Sequence, residues 1–252
     1  MKKSTLKISM LCFLSPLFIG KSFGQTAPGD SAVLQNSITQ ITSKFYKAIG
    51  EQSRLYNGHE YLPYDPQFKS NALFPYDEKS WEPGEVTYDG IVYKNVPMMY
   101  DVYKDMVVVL LYNKFSMFNL VSNRVHNFSF SNHYFIRIDA DQINNEQAGL
   151  TTGFYDLLYE GKTWILAKRK KTIQNSANAI AGNETSFIES DAYYLKKGNV
   201  YYKIGSKGSV LKIFKDKKRE LQQYLKQKAI NYSQNTEDAM IKMASYYDHL
   251  TN

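Results

Sequence analysis

From Glu85 onward the chain alternates with a period of two residues, and the breaks between the runs are too short to be anything but turns. Glu85–Tyr88 and Ile91–Lys94 flank Asp89-Gly90. Both central positions of such a hairpin take positive φ, which Asp and Gly tolerate. Runs at Val96–Tyr103, Met106–Tyr112, Phe115–Val121, Arg124–Phe130 and His133–Ile138 follow. Only Lys104-Asp105, Asn113-Lys114, Ser122-Asn123 and Ser131-Asn132 separate them. Links that short leave no room for a crossover, so consecutive strands are expected to pair antiparallel as a meander. Met106–Tyr112 is apolar throughout and predicts a central strand covered on both faces.

After a polar stretch at 139–151, Thr152–Tyr159 and Thr163–Lys171 predict a hairpin around Glu160-Gly161-Lys162. Trp164 and Leu166 share a face with Lys168 and Lys170, so the far end of that strand is expected to run into solvent. Residues 172–185, rich in Asn, Ser and Ala, read as a long loop. Phe187–Leu195 and Val200–Ile204 predict a last hairpin around Lys197-Gly198-Asn199.

Helical spacing is confined to the two ends. Leu34, Ile38, Ile41, Phe45 and Ile49 make one apolar stripe over 31–55, with Asp30 or Ser31 as cap and Gly58 just past the end. Residues 57–84 then carry Pro63, Pro66, Pro75 and Pro83 among Tyr56, Tyr61, Tyr64, Phe68, Phe74, Tyr76 and Trp81. The prolines predict a loop and the rings predict an ordered one, so this segment reads as a strap. Ser206–Lys228 carries Val210, Ile213, Phe214, Leu221, Tyr224 and Leu225 on one side. Thr236 is expected to cap a final helix, with Glu237 and Asp238 in its first turn and Met240, Met243, Ala244, Tyr247 and Leu250 on its buried stripe. The fold class expected is α+β. It is a strongly bent antiparallel meander or partly closed barrel of about eleven strands, with an N-terminal helix and two to three C-terminal helices. The corresponding divisions are 1–24, 25–84, 85–205 and 206–252.

Residues 1–24 read as a signal peptide. Lys2, Lys3 and Lys7 precede the apolar Ile8–Gly20, and Ser22-Phe23-Gly24 offers small residues for cleavage between Gly24 and Gln25. The only Cys is Cys12. Leu11 before it is large and the apolar run ahead of it short, against a lipidation signal. The mature chain then has no thiol chemistry and no disulfide. No later segment reaches the roughly 18 apolar residues of a membrane-spanning helix. Met106–Tyr112 lacks the alternation of a lipid-facing strand, and an outer-membrane barrel ends in a strand rather than an amphipathic helix. The expected location is the periplasm or the periplasmic face of the outer membrane.

Several segments resemble a group of uncharacterised exported proteins of Bacteroidota. They are Val86-Thr87-Tyr88-Asp89-Gly90-Ile91-Val92-Tyr93-Lys94-Asn95-Val96-Pro97, Gly153-Phe154-Tyr155-Asp156-Leu157-Leu158-Tyr159, and Lys212 to Leu225 followed by Tyr246-Tyr247-Asp248-His249-Leu250. A start at Gln25 is similar as well. The resemblance spans most of the mature chain and implies an envelope protein, without an activity.

Catalytic and metal signatures are sparse. His59, His126, His133 and His249 form no metal-binding spacing, although His126 and His133 fall on neighbouring strands. Asp139 and Asp141 fit the first two positions of a calcium loop, but Ile143 fails at the third and the turn glycine is missing. Thr151-Thr152-Gly153 has no His or Asp nearby in sequence, and there is no G-x-S-x-G elbow. Gly205-Ser206-Lys207-Gly208-Ser209 lacks P-loop spacing and reads as a helix start capped by Ser206 or Ser209. Asp89, Asp101, Asp105 and Asp156 leave a glycosidase-type carboxylate pair open, and the many rings suit sugar stacking. Asp at turns and aromatics in strands are expected anyway. No cofactor is implied.

Charge is the distinctive signal. Residues 160–230 hold 16 Lys and Arg against six Asp and Glu, whereas 25–159 hold 10 against 15. Lys212, Lys215, Lys217, Lys218 and Arg219 crowd one segment, with Lys226 and Lys228 beyond. The expectation is a non-enzymatic accessory or scaffold protein that docks an acidic envelope protein or anionic lipid headgroups through this basic helix. The export signal argues against nucleic acid. A glycan-active or glycan-binding module and a carrier of apolar ligands remain open.

Overall fold

The computed structural model describes residues 30–49, 54–74, 81–111, 113–143, 148–178 and 182–251. The signal-peptide reading and the Gly24–Gln25 cleavage point lie outside them, as do Asn144, Asn145 and Glu146 of the polar stretch. Helix α1 spans Asp30–Ile49 and is followed by a short 3-10 turn at Arg54–Tyr56. The strap contributes β1 (His59–Glu60) and β2 (Leu73–Phe74). Then come β3 (Glu82–Tyr88), β4 (Ile91–Asp101), β5 (Met106–Leu110), β6 (Met117–Asn119), β7 (Val125–Phe130) and β8 (His133–Ile138). The second half holds β9 (Gly153–Glu160), β10 (Thr163–Lys168), β11 (Lys171–Asn178), β12 (Gly182–Glu189), β13 (Ala192–Lys197) and β14 (Val200–Ile204). Helices α2 (Lys207–Ile213), α3 (Lys218–Gln227) and α4 (Thr236–Leu250) close the chain. This is the expected α+β class.

Twelve strands make one open sheet in the order β1-β6-β5-β4-β3-β7-β8-β9-β10-β13-β14, with β2 added on β4. The sheet does not close into a barrel. The Asp89-Gly90 turn forms as expected, with φ of 51° and 76°. Ile91–Lys94 and Val96–Tyr103 are not two strands but parts of the single β4. Asn95 takes φ 54°, and the β3–β4 register shifts between Gly84 and Val86. A bulge absorbs the break without ending the strand.

The meander fails at one link. Strand β7 pairs with β3, not with β6. Strands β5, β4 and β3 lie between β6 and β7, a distance of about 19 Å across a flat sheet. The connection contains a 3-10 turn at Ser122–Arg124, so its six residue steps reach only about 16 Å. The sheet must therefore roll to let β7 enter on the far side of β3. Asp89 N–H donates to the Arg124 carbonyl at 2.9 Å and holds the link to the β3–β4 turn.

Rolling creates the first core. Phe128 and Phe135 stack at 4.7 Å and 8°, with Tyr100 edge-on to both. Val86, Met98, Val107, Val109 and Phe154 complete it. Each such side chain contributes about 1.5–3 kcal/mol on full burial. Val107, Val108 and Val109 are all buried, as expected for a strand covered on both faces. A second core lies between the sheet and the helices, where Ile165, Leu195 and Ile204 meet Val210, Phe214, Leu221, Met240 and Met243. On the opposite face Leu166, Tyr155 and Tyr194 pack with Ile138 and Ala148.

Four local expectations are corrected. Residues 172–178 and 182–185 are strand rather than loop: β11 and β12 pair antiparallel as a separate two-stranded sheet with eight residue pairs. Their weak strand propensity is overridden by backbone pairing and by the strap, since Lys69 N–H donates to the Thr185 carbonyl at 3.0 Å. Phe187–Leu195 breaks at Ser190-Asp191, between β12 and β13. Ser206–Lys228 is not one helix. It turns at Phe214 (ψ 37°) and Lys215–Lys217, because Phe214 is buried and stacks on Tyr247 at 4.0 Å. The turn lets α3 deliver Leu221 and Leu225 to the same core as α2. Asn235 rather than Thr236 caps α4, its Oδ1 accepting from Asp238 N–H at 3.1 Å. Leu34, Ile38 and Ile41 of α1 are exposed. No helix among the described residues is long and apolar enough to cross a membrane.

Candidate functional site

Lys212 lies on α2, Lys215 and Lys217 on the 3-10 turn, and Lys218 and Arg219 at the start of α3. The break at Phe214 therefore distributes the basic cluster over three short elements rather than one helix face. The buried Val210, Leu211, Leu221 and Leu225 anchor these elements, which leaves Lys212, Lys215, Lys218 and Arg219 exposed. Lys217 is half-buried and reaches Glu220 at 3.8 Å. Asp216 is turned to other work, with Tyr247 donating its hydroxyl at 3.0 Å and Lys197 at 3.4 Å. Burial raises its carboxyl, and these two donors together with a backbone hydrogen bond outweigh that and hold it low. Among the described residues no acid pairs with Lys212, Lys215, Lys218 or Arg219.

The buried charges lie elsewhere, at the end of β10 that was expected in solvent. Arg169 is 6% exposed and donates to Asp156, Asp191 and Glu237. Its Nε and Nη2 reach Asp156 Oδ2 at 3.0 and 2.7 Å. Glu237, in the first turn of α4, accepts from Arg169 and from the Tyr193 hydroxyl at 2.8 Å. Burial raises the Glu237 carboxyl, and the Arg169 hydrogen bond and charge outweigh it, holding the group below the usual carboxylate range. His133 Nδ1 lies 2.8 Å from Asp156 Oδ2. The Phe74 ring covers both the His133 ring and the Arg169 guanidinium at 4.9 Å. Lys168 donates to Asp105 at 2.6 Å and to the Phe154 carbonyl at 3.1 Å. Burial lowers the Lys168 ammonium despite Asp105. Lys171 donates to the carbonyls of Asn71 and Leu73 at 3.0 and 2.9 Å.

This network missed by the sequence reading had a visible signal. Arg169 and Lys171 continue the parity of Ile165 and Ala167, which are buried, whereas Lys168 and Lys170 continue that of Trp164 and Leu166 on the other face. Every carboxylate singled out for glycan chemistry has a partner: Asp89 with Arg124, Asp101 with Tyr61 and Tyr64, Asp105 with Tyr100 and Lys168, and Asp156 with Arg169.

The strap forms an open cleft of about 390 Å³ over the sheet, with Tyr61, Tyr64, Phe68 and Trp81 above Met99 and Met117. Its polar groups are engaged within the strap or with β12. Asp65 Oδ1 accepts from Gln67 N–H, Asn71 Oδ1 from Leu73 N–H, and Ser70 bonds Phe187. Lys69 pairs with Glu184. Burial, with the charge and hydrogen bonds of Asp101, pushes the Tyr61 and Tyr64 phenols well up.

The remaining motifs resolve locally. His133 pairs in register with Phe130 beside the β7–β8 turn, which leaves His126 toward the far end of the hairpin. Arg137 pairs with Asp139. Ser206 Oγ accepts from Ser209 N–H at 3.2 Å and Ser209 Oγ from Ser206 N–H at 3.1 Å, a capping box. Among the described residues no three His, Cys, Asp or Glu converge as a metal site. Comparison with protein-family models, with curated proteins and with solved structures returned no match. The site and fold thus define an open, rolled antiparallel sheet that carries a basic helical layer.

Proposed function

We propose that this chain is an exported accessory protein of the cell envelope that docks an anionic partner through the basic face of α2, the Lys215–Lys217 turn and α3. The carrying observation is the unpaired exposure of Lys212, Lys215, Lys218 and Arg219, beside acids already engaged with Tyr247, Lys197 and Lys217. Unneutralised charge of one sign on a rigid support steers an oppositely charged partner and holds it in register. The first core is filled by stacked rings, which speaks against a ligand carried inside the rolled sheet.

The test is capture of the mature protein's partner from native envelope by crosslinking, compared with a variant reversed at the four exposed cations. The reversed protein is expected to keep its melting temperature and lose the partner. Retention of the partner by the reversed protein would overturn the reading.

A further inference from the structure

Strands β11 and β12 stand apart from the twelve-stranded sheet as a two-stranded sheet of their own. An isolated pair of strands is marginal in water, and a further strand or a packed face is what secures it. The strap gives that support on one side only. Ser70 Oγ accepts from Phe187 N–H at 2.7 Å and donates to the Phe187 carbonyl at 3.0 Å. Lys69 N–H donates to the Thr185 carbonyl at 3.0 Å. Phe187 and Thr185 therefore point these backbone groups away from β11.

Register decides what the other side shows. Ile173 lies opposite Phe187, Asn175 opposite Thr185 and Ala177 opposite Asn183. In an antiparallel ladder, pairs that bond one another alternate with pairs that both point outward. Ser190 N–H donates to the Lys170 carbonyl at 2.8 Å, which puts the bonded pairs at the even positions of β11. The N–H and C=O groups of Ile173, Asn175 and Ala177 thus project from the outer edge of β11. Among the described residues nothing caps them.

This edge lacks the guards found on the others. Strand β1 has two residues and β14 carries Lys203, and both short length and lysine discourage edge pairing. Residues 172–178 hold neither charge nor proline, and 172–177 are all exposed. An open row of backbone groups of this kind receives an extended strand. The strand that fits it is β11 itself. Two copies related by a two-fold axis at Asn175 run antiparallel, with Asn175 opposite Asn175 and Ile173 opposite Ala177. All three outward residues of each copy then meet outward residues, and their three N–H groups per copy make six bonds in all. Gln174 falls opposite Ser176. Every facing pair is uncharged, so no like charges oppose the match.

We propose that the outer edge of β11 joins two copies of this chain, β11 to β11, into one four-stranded antiparallel sheet. The contact is independent of the basic face and gives the assembly two such faces, which makes docking bivalent. An edge contact is narrower than the ~800 Å² per partner of a standard interface, so the dimer forms in a concentration-dependent way.

The test is sedimentation velocity of the full mature protein over a concentration series, with thermal melts of each variant in dilute solution. Asn175→Lys and Asn175→Asp each set like charges face to face at the axis, and their equimolar mixture sets opposite charges there. Ala177→Pro removes an outward N–H, the position at which an edge strand tolerates proline. Wild type is expected to pass from monomer to dimer as concentration rises. Each variant alone should dimerise roughly fivefold more weakly or worse, with an unchanged melting temperature. The mixture should recover the wild-type dimer. Wild type that stays monomeric up to roughly millimolar concentration would overturn the proposal. So would a dimer that all three variants retain in full, which would place the contact elsewhere. A mixture as monomeric as its two components would show that Asn175 does not face itself and would overturn the two-fold pairing. Ala177→Pro melting well below wild type would show that this N–H is already bonded within the chain, which also overturns it.

Discussion

Arg169 donates to one oxygen of Asp156 from both Nε and Nη2, at 3.0 and 2.7 Å, with the two side chains only 6% and 1% exposed. The same guanidinium reaches Glu237 at the start of α4. One side chain thereby joins the rolled half of the sheet to the helical layer that carries the basic face. Rigid support for an exposed charge pattern comes from this joint. Burial lowers the guanidinium's pKa, and its bonds to Glu237, Asp191 and Asp156 more than reverse that, so it stays a cation throughout the accessible pH range.

Arg169→Met is therefore expected to cost about 3–5 kcal/mol, because it leaves Asp156 buried without its cation. Urea unfolding of the two proteins measures this. An unchanged midpoint would show that the joint does not hold the two parts together.

Glu237 sets an acid limb. Its folded carboxyl lies below the unfolded value of roughly 4.3, so its contribution to stability is full above that pH and is lost as pH falls through the folded value. Glu237→Gln is expected to flatten the fall in melting temperature in this acid window. Parallel curves for the two proteins across it would contradict the assignment.

Gly153 holds φ 145° beside the Asp105–Lys168 pair, and a Cβ there would strike both side chains. Gly153→Ala should cost about 2–3 kcal/mol through backbone strain and a displaced ion pair. Gly90→Ala has open space around it and only the φ of 76° to oppose it, so about 1 kcal/mol is expected there. Equal losses at the two positions would contradict this difference.

Tyr61 and Tyr64 both donate to Asp101 Oδ2, at 3.0 and 2.9 Å, while Lys104 sits over both rings. Asp101→Ala is expected to release the strap before the sheet. Hydrogen exchange should speed up at Tyr61 and Leu73 while β7 and β8 keep their protection. Uniform loss of protection would show that the strap and sheet unfold together.

The hairpin at Asp89-Gly90 and the apolar Val107–Val109 were legible because local chemistry alone decides them. The insertion of β7 beside β3 was not, because it depends on how far the sheet rolls, which no single segment specifies. Residues 172–185 were misread for a similar reason. Their pairing energy comes from a partner strand and from the strap, not from Asn, Ser and Ala themselves. The basic cluster was legible as charge. Its division at Phe214 was not, since that follows from a ring stacking on Tyr247 from another helix.

The most direct measurement places a photo-reactive side chain at position 215, at position 219, or at the exposed position 92 on β4, and irradiates the protein in its native envelope. The account predicts crosslinked partner from 215 and 219 and none from 92. Crosslinks from 92 with none from 215 and 219 would contradict docking through the basic face.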